Sequence, residues 1–215
     1  AQAFDIAEQL QTPVIIMSDL DLGMNDHLTE EFAWQDDKRY DKGKVLTAEQ
    51  LDELDVFGRY LDIDDDGICY RTLPGTHPDK GAFFNRGTSR NRFAGYTEKS
   101  ADYVDNMERL TKKLYSAINF LPEPEIQQSK KKAPIALIYF GTSSHPIGEA
   151  IDQLQEQGLA TDTLRIKAFP FHQQIEQFID EHTLNNKQVF VIEQNRDAQM
   201  KSLLVNELQI DPNKL

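Results

Sequence analysis

Three apolar runs in the second half of this 215-residue chain, each followed by a segment with helical periodicity, constrain its fold most strongly. The runs are IALIYF, TLRIKAF and QVFVIEQ, and the segments that follow them are PIGEAIDQLQEQG, HQQIEQFIDEH and AQMKSLLVNEL. Continuous short apolar runs are typical of strands buried on both faces of a parallel sheet. Alternating strands and helices therefore predict a small parallel α/β sheet with right-handed crossovers over residues 134–215. The ending IDPNKL leads us to expect a chain that continues toward another element.

The first twenty residues predict a helix and then a strand. The first ten carry apolar residues at helical spacing, and the continuous apolar run VIIMSD follows Pro13. A parallel strand needs neighbours to satisfy its backbone N–H and C=O groups. We therefore expect the partners of this strand to lie upstream or in another chain. Since the sequence also begins at Ala1 without a methionine, we interpret it as a piece of a longer polypeptide.

Residues 20–100 are long, polar and rich in turn signals, with one clear helix at LTAEQLDEL. A compact domain rarely carries so much irregular chain, so we predict a connector that a partner orders. After it, ADYVDNMERLTKKLYSAINF places apolar residues on one stripe. This pattern predicts an amphipathic helix capped by Ser100 and ending before Pro122.

An acidic run in the connector, Asp62, Asp64, Asp66 and Gly67, raises the question of a calcium loop. An EF-hand needs a bidentate glutamate at its twelfth position, because the first three carboxylates leave the coordination incomplete. That position is Leu73, and turn-forming residues follow it where an exiting helix would begin. The run therefore predicts an acidic turn, and no metal site is expected here.

Charge and cysteine content narrow the class of function. The net charge of −13 argues against a nucleic-acid surface, since that affinity depends on clustered lysines and arginines. One cysteine, Cys69, excludes a cluster ligated by cysteines of this chain alone. The five histidines lack zinc-site spacing. With no apolar run of about 18 residues and no signal-peptide pattern, we expect a cytoplasmic protein.

Two turns at the ends of predicted strands carry polar groups. GTSSHPIG follows the first strand, and either an anion cradle or a structural turn accounts for it. EQNRD follows the third strand at the edge where ligands bind in open α/β sheets. Asn195 and Arg196 in that turn are candidates for a site or an interface, and helix capping by Asn195 or Asp197 is the alternative.

Basic residues gather in the connector near His77. Arg71, Arg86 and Arg90 stand close to it in a chain that is otherwise acidic. Such a cluster suits an anionic substrate or cofactor, and pairing with neighbouring carboxylates is the alternative.

Five segments give the chain its clearest family likeness. They are QTPVIIMSDLDLGMN, DGICYRTLPGTHPDKGAFFNRGTSR, YTEKSADYVDNMERLTKKL, YFGTSSHPIGEAID and VFVIEQNRDAQMKSLL. Read together and in order, they resemble the α subunit of 2-oxoacid:acceptor oxidoreductases of the 2-oxoglutarate:ferredoxin type. The resemblance implies an enzyme that decarboxylates a 2-oxo acid, reduces ferredoxin and forms an acyl-CoA.

The resemblance also implies a domain arrangement and a set of cofactors. Residues 1–25 would end a thiamine pyrimidine-binding domain, and residues 26–133 would form the connector. Residues 134–215 would form a transketolase C-terminal-like α/β domain, which we expect to be truncated. The intact complex would use thiamine diphosphate, Mg²⁺, an iron–sulfur cluster and CoA, none of which is expected on this chain alone. Its partners would be a β subunit, ferredoxin and a second αβ copy.

Parts of the family pattern are missing from the sequence. The Tyr-Pro-Ile-Thr-Pro segment, the upstream arginine and the thiamine-activating glutamate are absent, so no catalytic residue is carried over. We nominate Asp21 and Asn25 after the first predicted strand, together with the basic connector residues and His77, as groups nearest the active site or the β-subunit interface. The alternative function is a non-catalytic α/β assembly or docking module.

Overall fold

The computed structural model describes residues 2–33, 36–37, 39–85 and 89–215. The helices are α1 (Gln2–Leu10), α2 (Leu20–Met24), α3 (Ala48–Glu53), α4 (Ser100–Ala117), α5 (Ile147–Glu156), α6 (Gln173–Leu184) and α7 (Gln199–Leu208). The strands are β1 (Glu125–Gln127), β2 (Ile135–Phe140), β3 (Thr161–Ile166) and β4 (Gln188–Ile192). Short 3₁₀ turns cover Ile118–Phe120, Gly141–Ser144 and Pro212–Lys214.

The chain forms two compact units. The first, called the connector unit, comprises Ala1–Ile16 and Glu31–Phe120. The second, called the sheet unit, comprises Met17–Glu30 and Leu121–Leu215. The domain boundaries inferred from the family resemblance stay predictions.

The sheet unit is a mixed α/β fold with strand order β1-β3-β2-β4. Its central strand β2 runs parallel to both β3 and β4, with Ile135 opposite Thr161 and Gln188. The three predicted strand–helix repeats are thereby confirmed. The antiparallel edge strand β1, paired to β3 with Ile126 opposite Leu164, was not predicted.

The core of the sheet unit lies between the sheet and two helices. Ile138 on β2 and Leu164 on β3 pack with Ile179 of α6 and Leu204 of α7, and all four are fully buried. Leu137 and Tyr139, which alternate with Ile138 along β2, pack against α5 on the other face. The central strand is therefore covered on both faces, as its continuous apolar sequence predicts.

The predicted strand in VIIMSD is wrong for this chain. Residues 13–19 have no strand structure, and the side chains of Ile15, Ile16 and Met17 are at least three-quarters exposed. A strand persists only when neighbouring strands satisfy its backbone groups. Among the described residues, no strand pairs with this segment.

Three predicted helices form in the connector unit, and α3 is the one predicted at LTAEQLDEL. Helix α1 buries Ile6 and Leu10, as its apolar stripe predicts. Helix α4 begins at Ser100, but its N-cap is Lys99, and no side chain caps it, so the predicted cap at Ser100 is wrong by one residue. An N-cap residue has extended backbone angles, as Lys99 has, whereas Ser100 is already helical.

The acidic run forms a turn held by lysines. The Lys44 ammonium donates to Asp64 at 2.6 Å and to Asp66 at 2.8 Å. The Asp62 carboxylate accepts backbone hydrogen bonds from Asp66 and Gly67.

Within the described ranges, no helix is long and apolar enough to cross a membrane.

Candidate functional site

The carboxyl ends of β2 and β4 are neighbours in the sheet unit, because Tyr139 lies opposite Ile192. The turns that leave these two strands are GTSSHPIG and EQNRD, so the sheet brings the two polar turns singled out from the sequence to one edge. Ligands of open α/β folds bind at this edge, beyond the carboxyl ends of the strands.

A second segment of the sheet unit supplies polar groups to this edge. The Asp19 carboxylate accepts hydrogen bonds from the Thr142 hydroxyl at 2.8 Å and from the backbone N–H of Leu22 at 2.9 Å. The Leu22 N–H, and then the Thr142 hydroxyl, hold the pKa of Asp19 below its ordinary value. The His27 ring stacks on the His145 ring, with 6.1 Å between centroids. This edge of the sheet unit therefore carries one carboxylate, which Thr142 and Leu22 hold in place, and two imidazole rings.

Asp21 and Asn25 bond to each other rather than following a strand. Helix α2 occupies residues 20–24, and the Asn25 amide donates to the Asp21 carboxylate at 2.8 Å. Both residues are exposed. Their placement at the carboxyl end of a strand is wrong, because VIIMSD forms none, and their nomination for a site or interface stays a prediction.

Asn195 bonds to the first turn of helix α7, although the N-cap residue of that helix is Ala198 and not Asn195 or Asp197. Its side-chain oxygen accepts from the backbone N–H of Gln199 at 3.0 Å, and the Glu193 carboxylate accepts from Met200 and Lys201. The Arg196 guanidinium pairs with the neighbouring Asp197. Both groups remain at the ligand-binding edge of the sheet, where their functional role stays a prediction.

Arg71 and His77 have separate partners in the connector unit. Arg71 pairs with Glu8 and donates to the carbonyl of Lys42. His77 Nδ1 accepts the backbone N–H groups of Asp79 and Lys80, so the neutral ring carries its proton on Nε2. Nε2 lies 3.1 Å from an oxygen of Asp52. His77 therefore stabilises the THPDKG turn.

Arg90 lies in a cationic cavity of the connector unit. Its guanidinium donates to the Tyr60 hydroxyl at 2.9 Å, and the guanidinium carbons of Arg59, Arg90 and Arg109 lie 5.1, 5.1 and 5.6 Å from the centre of the Tyr60 ring. Lys113 also lines the cavity, whose volume is about 240 Å³. We call this the Tyr60 cavity.

Of the four cations of the Tyr60 cavity, only Arg90 was predicted from the sequence, and Arg59, Arg109 and Lys113 were missed. Arg109 and Lys113 are four residues apart on α4 and therefore share one face of the helix. That spacing was the available signal, whereas the approach of Arg59 is a long-range contact that no local pattern indicates. Arg86, nominated with Arg90, lies outside the described residues.

The donor groups of the described residues do not match the cofactors that the family resemblance implies. A cluster needs several cysteine ligands, and the chain has one cysteine, which is buried. In the described ranges, no group of three or more His, Cys, Asp or Glu side chains is arranged to hold a metal ion such as the one that accompanies a bound diphosphate.

Comparisons with known proteins match the chain almost end to end. It is 25% identical over 214 residues to subunit alpha of 2-oxoacid:ferredoxin oxidoreductase 2 from Aeropyrum pernix, covering 98% of this chain and 32% of that protein. It is 24% identical over 215 residues to the corresponding alpha subunit from Saccharolobus solfataricus, with the same two coverages. The chain thus spans about a third of the length of the curated relatives it matches. No protein-family model matches the chain.

A solved structure shares the fold. The 2-oxoglutarate:ferredoxin oxidoreductase from Magnetococcus marinus, solved with 2-oxoglutarate, coenzyme A and succinyl-CoA bound, matches with a TM-score of 0.74 and 21% identity. The match covers 94% of this chain and 34% of that one. Along nearly its whole length the chain is therefore similar to α subunits of 2-oxoacid:ferredoxin oxidoreductases, and the resemblance drawn from its motifs is confirmed.

Proposed function

We propose that this chain is part of the α subunit of a 2-oxoacid:ferredoxin oxidoreductase. The reaction is the oxidative decarboxylation of a 2-oxo acid to an acyl-CoA, with electrons passed to ferredoxin. The observation that carries the proposal is the similarity to two α subunits over 98% of the chain. The fold shared with the Magnetococcus marinus enzyme supports it.

We propose 2-oxoglutarate as the substrate, because the structural neighbour is named for it. Thiamine diphosphate, Mg²⁺ and the iron–sulfur cluster would then be held mainly by other parts of a cytoplasmic complex. This division suits a chain that has one cysteine and many exposed apolar side chains. Such a chain positions a partner that holds the cofactors.

The test of the partner is capture of the native gene product from lysate of its own cells, a salt wash, and mass spectrometry of what stays bound. We expect a cysteine-rich subunit at one copy per chain, with thiamine diphosphate and iron in the eluate. A product that elutes without such a subunit, from cells grown under conditions that express both genes, would contradict the proposal.

The nominated connector residues are tested in the same complex. Replacing Arg86 with alanine should weaken assembly or raise the KM for the 2-oxo acid. Arg165→Ala is the matched control, since it removes the same charge from a surface ion pair with Glu125. Unchanged assembly and kinetics in the Arg86 variant would remove it from the nomination.

A further inference from the structure

Among the described residues, most half-buried lysines and arginines have carboxylate partners. Acidic residues outnumber lysines and arginines 36 to 23, so partners are abundant. Lys44 pairs with two aspartates, Arg71 with Glu8, and Lys187 with Asp162. A cluster of cations without such partners is therefore unusual in this chain.

The Tyr60 cavity contains such a cluster. Arg59 donates to the side-chain oxygen of Gln11, Arg109 to the carbonyl of Gly67, and Lys113 to the carbonyl of Gln11. All three acceptors are neutral. In the part of the chain that the structure describes, no ion pair joins Arg59, Arg109 or Lys113 to a carboxylate.

Two acidic residues within electrostatic range of the cavity residues bond to other groups. Asp105, which lies within electrostatic range of Arg109, bonds to Arg92 through both of its oxygens. Asp62 accepts two backbone hydrogen bonds within the acidic turn. The ion pairs described for these two carboxylates are with Arg92 and Lys112, outside the cavity.

The cations of the cavity also repel one another. Burial, and then the charge of Arg109, lower the pKa of Lys113. Burial lowers the pKa of Arg59, and the charges of Arg71 and Arg109 act in the same direction. The Nε of Arg109 is buried without a hydrogen-bond partner. Gathering these charges costs free energy that an anion in the cavity would offset.

The cavity suits a compact anion with more than one negative charge. Its volume is about 240 Å³, and whole ligands occupy pockets of roughly 300 Å³ or more. The guanidinium groups of Arg59 and Arg109 present paired N–H donors, whose geometry matches phosphate oxygens. A monovalent carboxylate would leave most of the charge uncompensated. We propose that the Tyr60 cavity binds the phosphate or diphosphate group of a small molecule.

This site goes beyond the proposed enzymatic function and does not depend on it. The test titrates inorganic diphosphate, inorganic phosphate, ADP and succinate separately into the purified protein at constant ionic strength, with calorimetry as the readout. We expect saturable binding of one diphosphate per chain. Equal affinity for ADP would identify the diphosphate alone as the recognised group, and tighter binding of ADP would identify a nucleotide-borne diphosphate.

Two adjacent lysines of α4 provide a matched pair of variants. Lys113 lines the cavity, whereas Lys112 pairs with the exposed Asp65. Lys113→Gln should weaken diphosphate binding by about tenfold or more, the usual effect of losing a charged hydrogen bond. Lys112→Gln removes the same charge from the same helix and should leave the dissociation constant unchanged.

The unliganded variants give a second readout. Lys113→Gln should melt no lower than the wild-type protein, because it removes one of the mutually repelling charges. A loss of binding in this variant is therefore not explained by unfolding. Three results would each overturn the proposal: no saturable binding of inorganic diphosphate, inorganic phosphate or ADP, tighter binding of succinate than of these compounds, or equal weakening of diphosphate binding in the two lysine variants.

Discussion

Helices α6 and α4 are both amphipathic, yet only one of them has its apolar stripe covered. On α6, Ile175, Phe178 and Ile179 are buried against the sheet. On α4, the stripe that contains Val104 and Leu114 is exposed. The periodicity of a helix thus predicts which residues share a face, and the rest of the fold decides whether that face is covered.

The contrast is consistent with a chain that works inside a larger assembly. The sheet unit contains both sides of its own core, so its helices are stabilised by contacts within it. Helix α4 is held chiefly by its polar face, where Ser116 donates to the carbonyl of Asp66 and Arg109 to that of Gly67. Its apolar face is available to a partner such as the proposed β subunit.

The largest expected effect comes from truncating one apolar residue on each helix. Ile179→Ala should lower the free energy of unfolding of the sheet unit by about 3 to 5 kcal/mol, because Ile179 is 0% exposed and its loss leaves a cavity. Leu114→Ala on α4 is the matched control and should cost about 1 kcal/mol or less, because Leu114 is 49% exposed. Urea unfolding measures the loss of unfolding free energy in both variants. Equal losses would contradict the contrast between the two helices.

A polar anchor of α6 gives the next largest effect. His182 of α6 lies fully buried 2.9 Å from an oxygen of Asp162, whose carboxylate also accepts from Lys187 and from the N–H of Ser129. Asp162→Asn should cost about 3 kcal/mol at neutral pH, since it leaves a half-buried Lys187 unpaired. The surface variant Asp180→Asn should change stability by less than about 1 kcal/mol.

The same anchor predicts a pH dependence. Burial disfavours ionisation of Asp162 most, but its bonds to Ser129, His182 and Lys187 together hold its pKa below the ordinary value of 3.8. Its stabilising contribution is therefore complete above that value and is lost as the pH falls through the lower pKa of the folded state. The stability gap between wild type and Asp162→Asn should narrow in acid, and a gap that stays constant would contradict this assignment.

The smallest of these effects concerns the polar face of α4, which packs on the acidic turn at Gly67. Gly67 has a φ of +80°, and a Cβ there would lie 2.4 Å from the backbone nitrogen of Lys113 and 2.6 Å from the carbonyl oxygen of Arg109. Gly67→Ala should cost about 2 to 3 kcal/mol, from backbone strain and from displacement of the helix.

Gly75 is the control for that variant. It has a similar φ of +81° but nothing within 4 Å of an added Cβ. Gly75→Ala should therefore show only the backbone strain, about 1 to 2 kcal/mol. Thermal unfolding of both proteins compares them, and equal losses would show that the acidic turn does not pack closely on α4.

Sequence patterns predicted the parts of the fold that are encoded locally. The three strand–helix repeats and helix α4 follow from periodicity. Strand β1 was missed because its three residues are all exposed and show no alternation of burial. VIIMSD forms no strand here, because an apolar run encodes only the tendency to form one and no neighbouring strand pairs with it among the described residues.

The candidate sites show the same limit. The polar turns after β2 and β4 were recognised because strand ends are marked in the sequence. The Tyr60 cavity was seen only in part, because Arg59 and Arg109 are 50 residues apart and meet through tertiary packing. His77 was singled out for its basic neighbours, whereas the structure shows it holding a turn through two backbone bonds.

The central claim is that this chain belongs to the α subunit of an enzyme that oxidises 2-oxo acids. The most direct measurement purifies the native gene product anaerobically with its bound subunits and follows ferredoxin reduction with 2-oxoglutarate, pyruvate or 2-oxobutyrate. The account predicts reduction that requires both CoA and a 2-oxo acid, with 2-oxoglutarate the best substrate. A complex that contains thiamine diphosphate and redox-active iron–sulfur clusters, but that fails to reduce ferredoxin with any of the three 2-oxo acids, would contradict it.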